Sequence, residues 1–488
     1  MSKFTRKHVT TSLVWKTSEI FFSFVVNLVL KLALAYLLEP EHFGLIGMAF
    51  VFVAFVELFA DLGFGASLIQ RKESDLTPAH WNSVFWCNLL VNWAGFMLIV
   101  FGISSLAAIY YGDEILESIV IGISVSLIWN PLIFIQRIKL NKAMEFKKLF
   151  VIQSTSVIIG GIVALLMALN GFGVWSLVGQ GVSSSLTILP ITWMAVKWRP
   201  ELSFDIKAVK DLFSFGVYDL FLRIVGFSHL YANILILGGL FNPLIVGYFV
   251  FAQIFTINVF KPINKIFKKV YFPLFSNIQD YKKLIKKYYL RQIQYVTAFL
   301  HPLNVGLILL APDFIGLMWG EKWVGAIYPL QYLAIFVSLN AAGGEIGPIL
   351  KGIGKIKKLF YVHIIRFVVI KIPIVIIGAL LYGFEGFLFG IVLSQIVILF
   401  LNYMAIKNHI DLRGIDLIKS NIGGLIGASV MGCVIYVLQY IQPQKDLSLL
   451  ILLSIFGVIV YFIAYYFLGK ISSLSNWIIP INWRIFRN

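Results

Sequence analysis

The residues with chemistry to offer are few, and they lie inside apolar runs. One run holds Lys16, Glu19, Ser23, Asn27 and Lys31. At about 100° per residue these fall within about 120° of one another, a single polar stripe on an apolar helix. A second run repeats the pattern with Asp219, Arg223, His229 and Asn233, and a third adds His363, Arg366 and Lys371. Cations in such places neutralise anions, and arginine pairs with phosphate oxygens two at a time. Glu57 and Asp61 stand four apart, on one helical face, with no cation beside them in sequence. With Glu19 and Asp219 they are candidates for carrying a coupling ion, and Glu57 and Asp61 could instead tie the apolar run 44–70 to a cation in the run 12–38. Local pairing is the plainer reading: Lys16 with Glu19, Asp219 with Arg223, and Lys16 reaching the headgroups. His301 reads as a satisfied buried histidine, and Glu345 as reaching water near a span's end.

Motifs for bond-making are absent. The sequence has no phosphate-binding glycine loop, no His-Glu-x-x-His pair and no Gly-x-Ser-x-Gly turn. Cys87 and Cys433 both fall in apolar runs, which gives neither a disulfide framework nor a metal cluster. The expectation is a protein that is not an enzyme, with no metal and no cofactor, driven by a gradient or by its substrate's own energy.

The elements that must position these residues follow from composition. Of 488 residues, 59% are hydrophobic and 13% charged, and the mean hydropathy is +0.89. Soluble domains run to about 45–50% apolar and about 25% charged, so this is an all-α polytopic membrane protein. A span takes about 20 residues, and the apolar runs number about fourteen, the second being 44–70 and the seventh 211–238. The net charge of +17 comes from 40 Lys and Arg against 23 Asp and Glu. The basic residues sit in alternate loops, which argues for the positive-inside pattern and against nucleic acid. With both termini cytoplasmic, the outer loops hold only Lys322 and Lys445. The first span is expected to be retained rather than cleaved. The longest outer loop is read at about Pro312 to Gly325. Lys261 to Arg291 reads as a long basic inner loop whose second half is an interfacial helix, with Ile278, Tyr281, Leu284, Ile285 and Tyr288 on its apolar face, or else a solvated basic loop throughout.

The chain also echoes itself. Ile46–Phe52 matches Val246–Phe251, Lys147–Phe150 matches Lys357–Phe360, and Leu169–Phe172 matches Leu381–Phe384. The order is preserved at a spacing of about 200 residues, so the repeat unit is six spans, an even number, and the copies are parallel. The expected organisation is a six-helix lobe over 1–200, a second over 201–410 and two extra helices with a tail over 411–488. The polar stripes would face a central cleft, with Arg223, Lys31, Arg366, Lys371, Lys16, Asn27 and Asn233 binding substrate.

Several segments resemble a known family: Phe43-Gly44-Leu45, Leu58–Gly63, Leu68–Lys72, Val84–Asn88, Ile135-Gln136-Arg137, Gly171–Trp175 and Trp323–Gln331. Together they resemble the polysaccharide-transporter branch of the multidrug/oligosaccharidyl-lipid/polysaccharide flippase superfamily. The resemblance implies two six-span lobes around a central cavity, working by alternating access. It implies a flippase that moves an undecaprenyl-diphosphate-linked oligosaccharide across the bacterial inner membrane for O-antigen, capsule or exopolysaccharide synthesis. A polysaccharide polymerase and export complex would be partners, alongside the membrane lipids. The rival readings are an ion-coupled multidrug antiporter, which would favour an acidic cavity and usually twelve spans, and a membrane polymerase or ligase, which would favour a large outer loop.

Overall fold

The computed structural model describes residues 6–441 and 446–470, without the side chains of 6–10, 13, 214–222, 225, 229, 469 and 470. Lys445, both chain ends and the side chains of Asp219 and His229 therefore lie outside the described residues. The chain forms two compact units, Met1–Gly247 and Tyr248–Asn488.

Every regular element among the described residues is helical. That is what lipid demands, because a helix satisfies its own backbone where no water can. Among the described residues ten helices are long and apolar enough to cross a membrane, or eleven if Pro243–Phe255 and Ile257–Asn277, bent by 43°, form one span. This criterion does not establish fourteen. Trp175–Ala195 lies outside the set, and so does Ile206–Leu240, of which only the shorter apolar stretch Leu230–Leu240 stands out. The single run Ile356–Ile406 is also broken, with non-helical backbone at Tyr382 and Gly383. There the chain doubles back, and the Gly378 and Gly386 backbones pack against one another.

In the first unit, prolines start two helices, Pro40–Ala60 and Pro78–Leu98. Proline suits this position because its missing N–H would be unpaired there anyway. Three residues after each N-cap, His42 and His80 accept the cap amides of Glu39 and Thr77, both at 3.2 Å. Pro40–Ala60 and the start of Pro243–Phe255 then meet at two glycines. A Cβ on Gly44 would strike the Pro243 carbonyl, and one on Gly247 the Pro40 carbonyl. Both follow the pattern Pro-x-x-x-Gly, so the contact is symmetric, a small-residue approach that brings backbone to backbone.

The second unit corrects two expectations. Pro312–Gly325 is not a loop: the helix Lys282–Trp319 runs through Pro312, and Glu321–Ala326 is a 3₁₀ segment. Aromatic packing holds this end, with Phe251 stacked on the fully buried Trp323 at 4.2 Å and edge-on to Trp319 at 5.3 Å. Nor is 278–291 a separate interfacial helix. Its later part is the opening of Lys282–Trp319, and Ile285 is buried among Phe275, Leu350 and Ile410, while Tyr281 and Leu284 stay exposed. Packing against neighbouring helices has divided the apolar face that periodicity suggested.

Candidate functional site

Each unit contains a helix that breaks beside a partly buried carboxylate. In the first, Pro40–Ala60 stops at Asp61, and Phe64–Gln70 resumes after Leu62 at φ 49° and Gly63 at φ 78°. The expected continuous span over 44–70 is thus two helices with a left-handed joint. Asp61 serves both sides of the joint. Its Oδ1 accepts the Gly65 amide at 2.8 Å, and its Oδ2 accepts from Arg223 Nη2 at 2.6 Å. The cation comes from Ile206–Leu240, so the expectation that Asp61 pairs with the run 12–38 is corrected. The carboxylate is 17% exposed and the guanidinium 36%, so the pair is only partly buried.

Other side chains secure the break. Asn88 Nδ2 and Asn92 Nδ2 donate to the Ala60 carbonyl at 2.6 and 3.1 Å. Lys142 Nζ donates to the Leu68 and Arg71 carbonyls, both at 2.8 Å, closing the far end of the short helix. Ser67 Oγ donates to the Leu212 carbonyl at 2.9 Å. Site reasoning from sequence missed Asn88, Asn92 and Lys142. Asn88 stood in one of the segments carrying the resemblance, where its spacing from Ala60 could not be read.

In the second unit the break falls between Ile327–Gly343 and Ile346–Gly352, with Gly344 at φ 61°. Glu345 sits at the joint, pairs with Lys268 at 3.3 Å and accepts from Asn264. It is therefore held by protein groups rather than simply hydrated. Tyr289 OH and Asn421 Nδ2 cap the freed carbonyls of Gly343 and Ala342, at 2.5 and 3.1 Å.

The remaining candidates divide between paired and unpaired groups. Lys16 Nζ donates to both Glu19 oxygens at 2.9 Å, and Asn27 Nδ2 to the Ser23 carbonyl at 2.8 Å. Arg137, unforeseen as a site residue, is coupled electrostatically to the buried Glu19. Among the described residues, Lys31 and Glu57 have no hydrogen bond or ion pair, and both are half-buried. Asn233 is buried with its Oδ1 unpartnered. His301 is buried as expected and bonds Asn421 with its ring, while its Nε2 has no partner. Arg366 and Lys371 share a wide π-helical turn, Ile365–Lys371. Lys371 is buried, Arg366 Nε lacks a partner, and neither side chain is in an ion pair among the described residues. Cations left this way are costly in lipid unless they face water or an anion. Single π turns often mark functional positions. Among the described residues no cluster of His, Cys, Asp or Glu is placed to hold a metal.

Apolar helices that break beside charges are tolerated in a membrane only where they line protein or a cavity, and they are the hallmark of transporters. This is an integral membrane protein with broken helices of that kind. A family profile described as "Polysaccharide biosynthesis protein" matches residues 33–328, and the chain belongs to that family. It is 25% identical over 382 residues to the lipopolysaccharide biosynthesis protein WzxC of Escherichia coli (strain K12), covering 78% of this chain and 76% of the relative. It is 29% identical over 312 residues to the teichuronic acid biosynthesis protein TuaB of Bacillus subtilis (strain 168), covering 63% of each. Its fold is similar to that of the lipid II flippase MurJ in an inward closed conformation. The TM-score is 0.71 at 17% identity, over 94% of this chain and 99% of that one. It is also similar to an inward-facing multidrug resistance MATE family transporter, with a TM-score of 0.59 at 17% identity over 83% and 100%.

Proposed function

We propose that this protein is a flippase for a lipid-linked oligosaccharide, carried on a polyprenyl diphosphate, in the bacterial inner membrane with both termini cytoplasmic. Family membership and the transporter fold support that reading over a polymerase or ligase. The observation that carries the substrate class is the turn Ile365–Lys371, where Arg366 and Lys371 place two cations in the membrane-spanning region with no ion pair among the described residues. A diphosphate would bring negative charge to both cations, and arginine can bind its oxygens in pairs. The saccharide would need a wet path, and the polyprenyl tail would stay in lipid. A polysaccharide polymerase and export complex would take the product.

The test is translocation of a fluorescent polyprenyl-diphosphate oligosaccharide in proteoliposomes. Lys371→Met should leave the protein inserted and cut the rate by at least about tenfold, the equivalent of losing one charge-assisted contact. A wild-type rate in Lys371→Met would remove this turn from the substrate path.

Glu57 is the carboxylate that supports ion coupling. Glu19 and Asp61 are both ion-paired, whereas Glu57 has neither hydrogen bond nor ion pair among the described residues. In the same vesicles under an imposed pH gradient, Glu57→Gln should translocate at a rate that no longer responds to the gradient. An undiminished response assigns Glu57 a structural role.

A further inference from the structure

Two repeat-related turns share a backbone and differ in charge. In the first unit the amides of Ala143, Met144 and Glu145 donate to the carbonyls of Lys139, Asn141 and Leu140. In the second, Ile353, Gly354 and Lys355 donate in the same way to Ile349, Lys351 and Leu350. Met144 and Gly354 both have positive φ, 55° and 72°. Leu149 then bonds back to Glu145, and Leu359 to Lys355. The side chains part company at this point. Glu145 pairs with Lys148 at 2.5 Å. In the second unit Lys355 stands in the place of Glu145, so Lys358 has no matching carboxylate. Its Nζ lies 3.2 Å from His409 Nε2 instead.

His409 stands just beyond the helix that ends at Ile406. Lys286 fixes the segment after it, donating to the Asp411 carbonyl at 3.1 Å and pairing with Asp416 at 2.5 Å. Lys282 lies one turn before Lys286 on the same helix. Partial burial, then the ammonium groups of Lys358, Lys355 and Lys282, hold the His409 imidazole below its ordinary range. It is therefore neutral near pH 7 and accepts from Lys358. Among the described residues none of these three lysines is in an ion pair.

We propose that Lys355, Lys358, Lys282 and His409 form a site for the phosphate of an anionic phospholipid headgroup. The place suits a lipid. All four lie at or just outside helix ends, which the topology proposed above puts at the headgroups, and Ile356 and Phe360, 59% and 48% exposed, continue one turn apart down the helix from Lys355. A phosphodiester brings the negative charge that Glu145 supplies in the first unit, and the apolar track takes an acyl chain.

The full-length protein in detergent, titrated with phosphatidylglycerol, phosphatidylcholine or inorganic phosphate and read by native mass spectrometry, tests this. Wild type should retain phosphatidylglycerol in preference to phosphatidylcholine. Lys355→Glu, which restores the carboxylate of the first unit, should weaken phosphatidylglycerol retention about tenfold and leave phosphatidylcholine unchanged, as expected for one charge-assisted hydrogen bond. Lys358→Gln should act in the same direction and serves if Lys355→Glu does not fold. Displacement of phosphatidylglycerol by phosphate supports the phosphate as the recognised group. Equal retention of the two lipids by wild type, or undiminished phosphatidylglycerol retention in the folded variants, overturns the proposal. Phosphate binding without any preference for phosphatidylglycerol overturns the lipid source.

Discussion

Exchanging the two charges, as Asp61→Arg with Arg223→Asp, is expected to restore part of the folded protein lost in either single variant, and not to restore translocation. The exchange keeps opposite charges facing each other across the joint, where Asp61 and Arg223 meet at 2.6 Å. Removing one member leaves the other poorly solvated. For a fully buried pair that costs about 3–5 kcal/mol, an upper bound here because the pair is only partly buried. Arg223→Ala should therefore lower protein level and melting temperature. The exchange also moves the guanidinium and removes the carboxylate that accepts the Gly65 amide. Any substrate anion that meets Arg223 would then meet a carboxylate. Levels and thermal midpoints read the first effect, and vesicle translocation reads the second. A charge-swapped protein that flips at the wild-type rate would make the pair purely structural.

The second large effect is expected at Gly44. A Cβ there meets backbone, the Pro243 carbonyl, and not the movable end of a side chain. Gly44→Val can be accommodated only by pushing the start of Pro243–Phe255 away from Pro40–Ala60. Overpacking of this kind costs about 1–3 kcal/mol. Because the contact is symmetric, Gly247→Val should produce a loss of similar size, and the double variant less than the sum, since either one alone already separates the helices. Thermal unfolding in detergent measures it. Wild-type midpoints in both single variants would mean that the approach is looser than the structure has it.

Much of this architecture was legible in the sequence, but the joints were not. Apolar spans announced themselves through composition, and the repeat through three short matches. One of those, Lys147–Phe150 with Lys357–Phe360, follows turns whose backbone bonds are the same. The break at Leu62-Gly63 was hidden because apolar residues flank it on both sides, so hydropathy runs on from 44 to 70. Asp61 and Arg223 were both singled out, but helical spacing offered Arg223 only Asp219, whose side chain lies outside the described residues. Asp61 in fact reaches Arg223 across 162 positions, a contact only folding creates. The wide turn at Ile365–Lys371 was invisible for a different reason. One extra residue per turn leaves composition unchanged, yet it alters which side chains share a face.

The reversal at Tyr382 and Gly383 bears on how the chain enters the bilayer. The arm before it carries Arg366 and Lys371, each costing roughly 2.5–3.5 kcal/mol at mid-bilayer on the insertion scale. The arm after it, from Phe384 to Ile406, holds Glu385 as its one formal charge. A turn of two non-helical residues leaves no slack between the arms, and the close approach of Gly378 and Gly386 lets them lie against each other from the start. They therefore partition as a hairpin, and the greasier arm offsets the cost of carrying the two cations into the membrane.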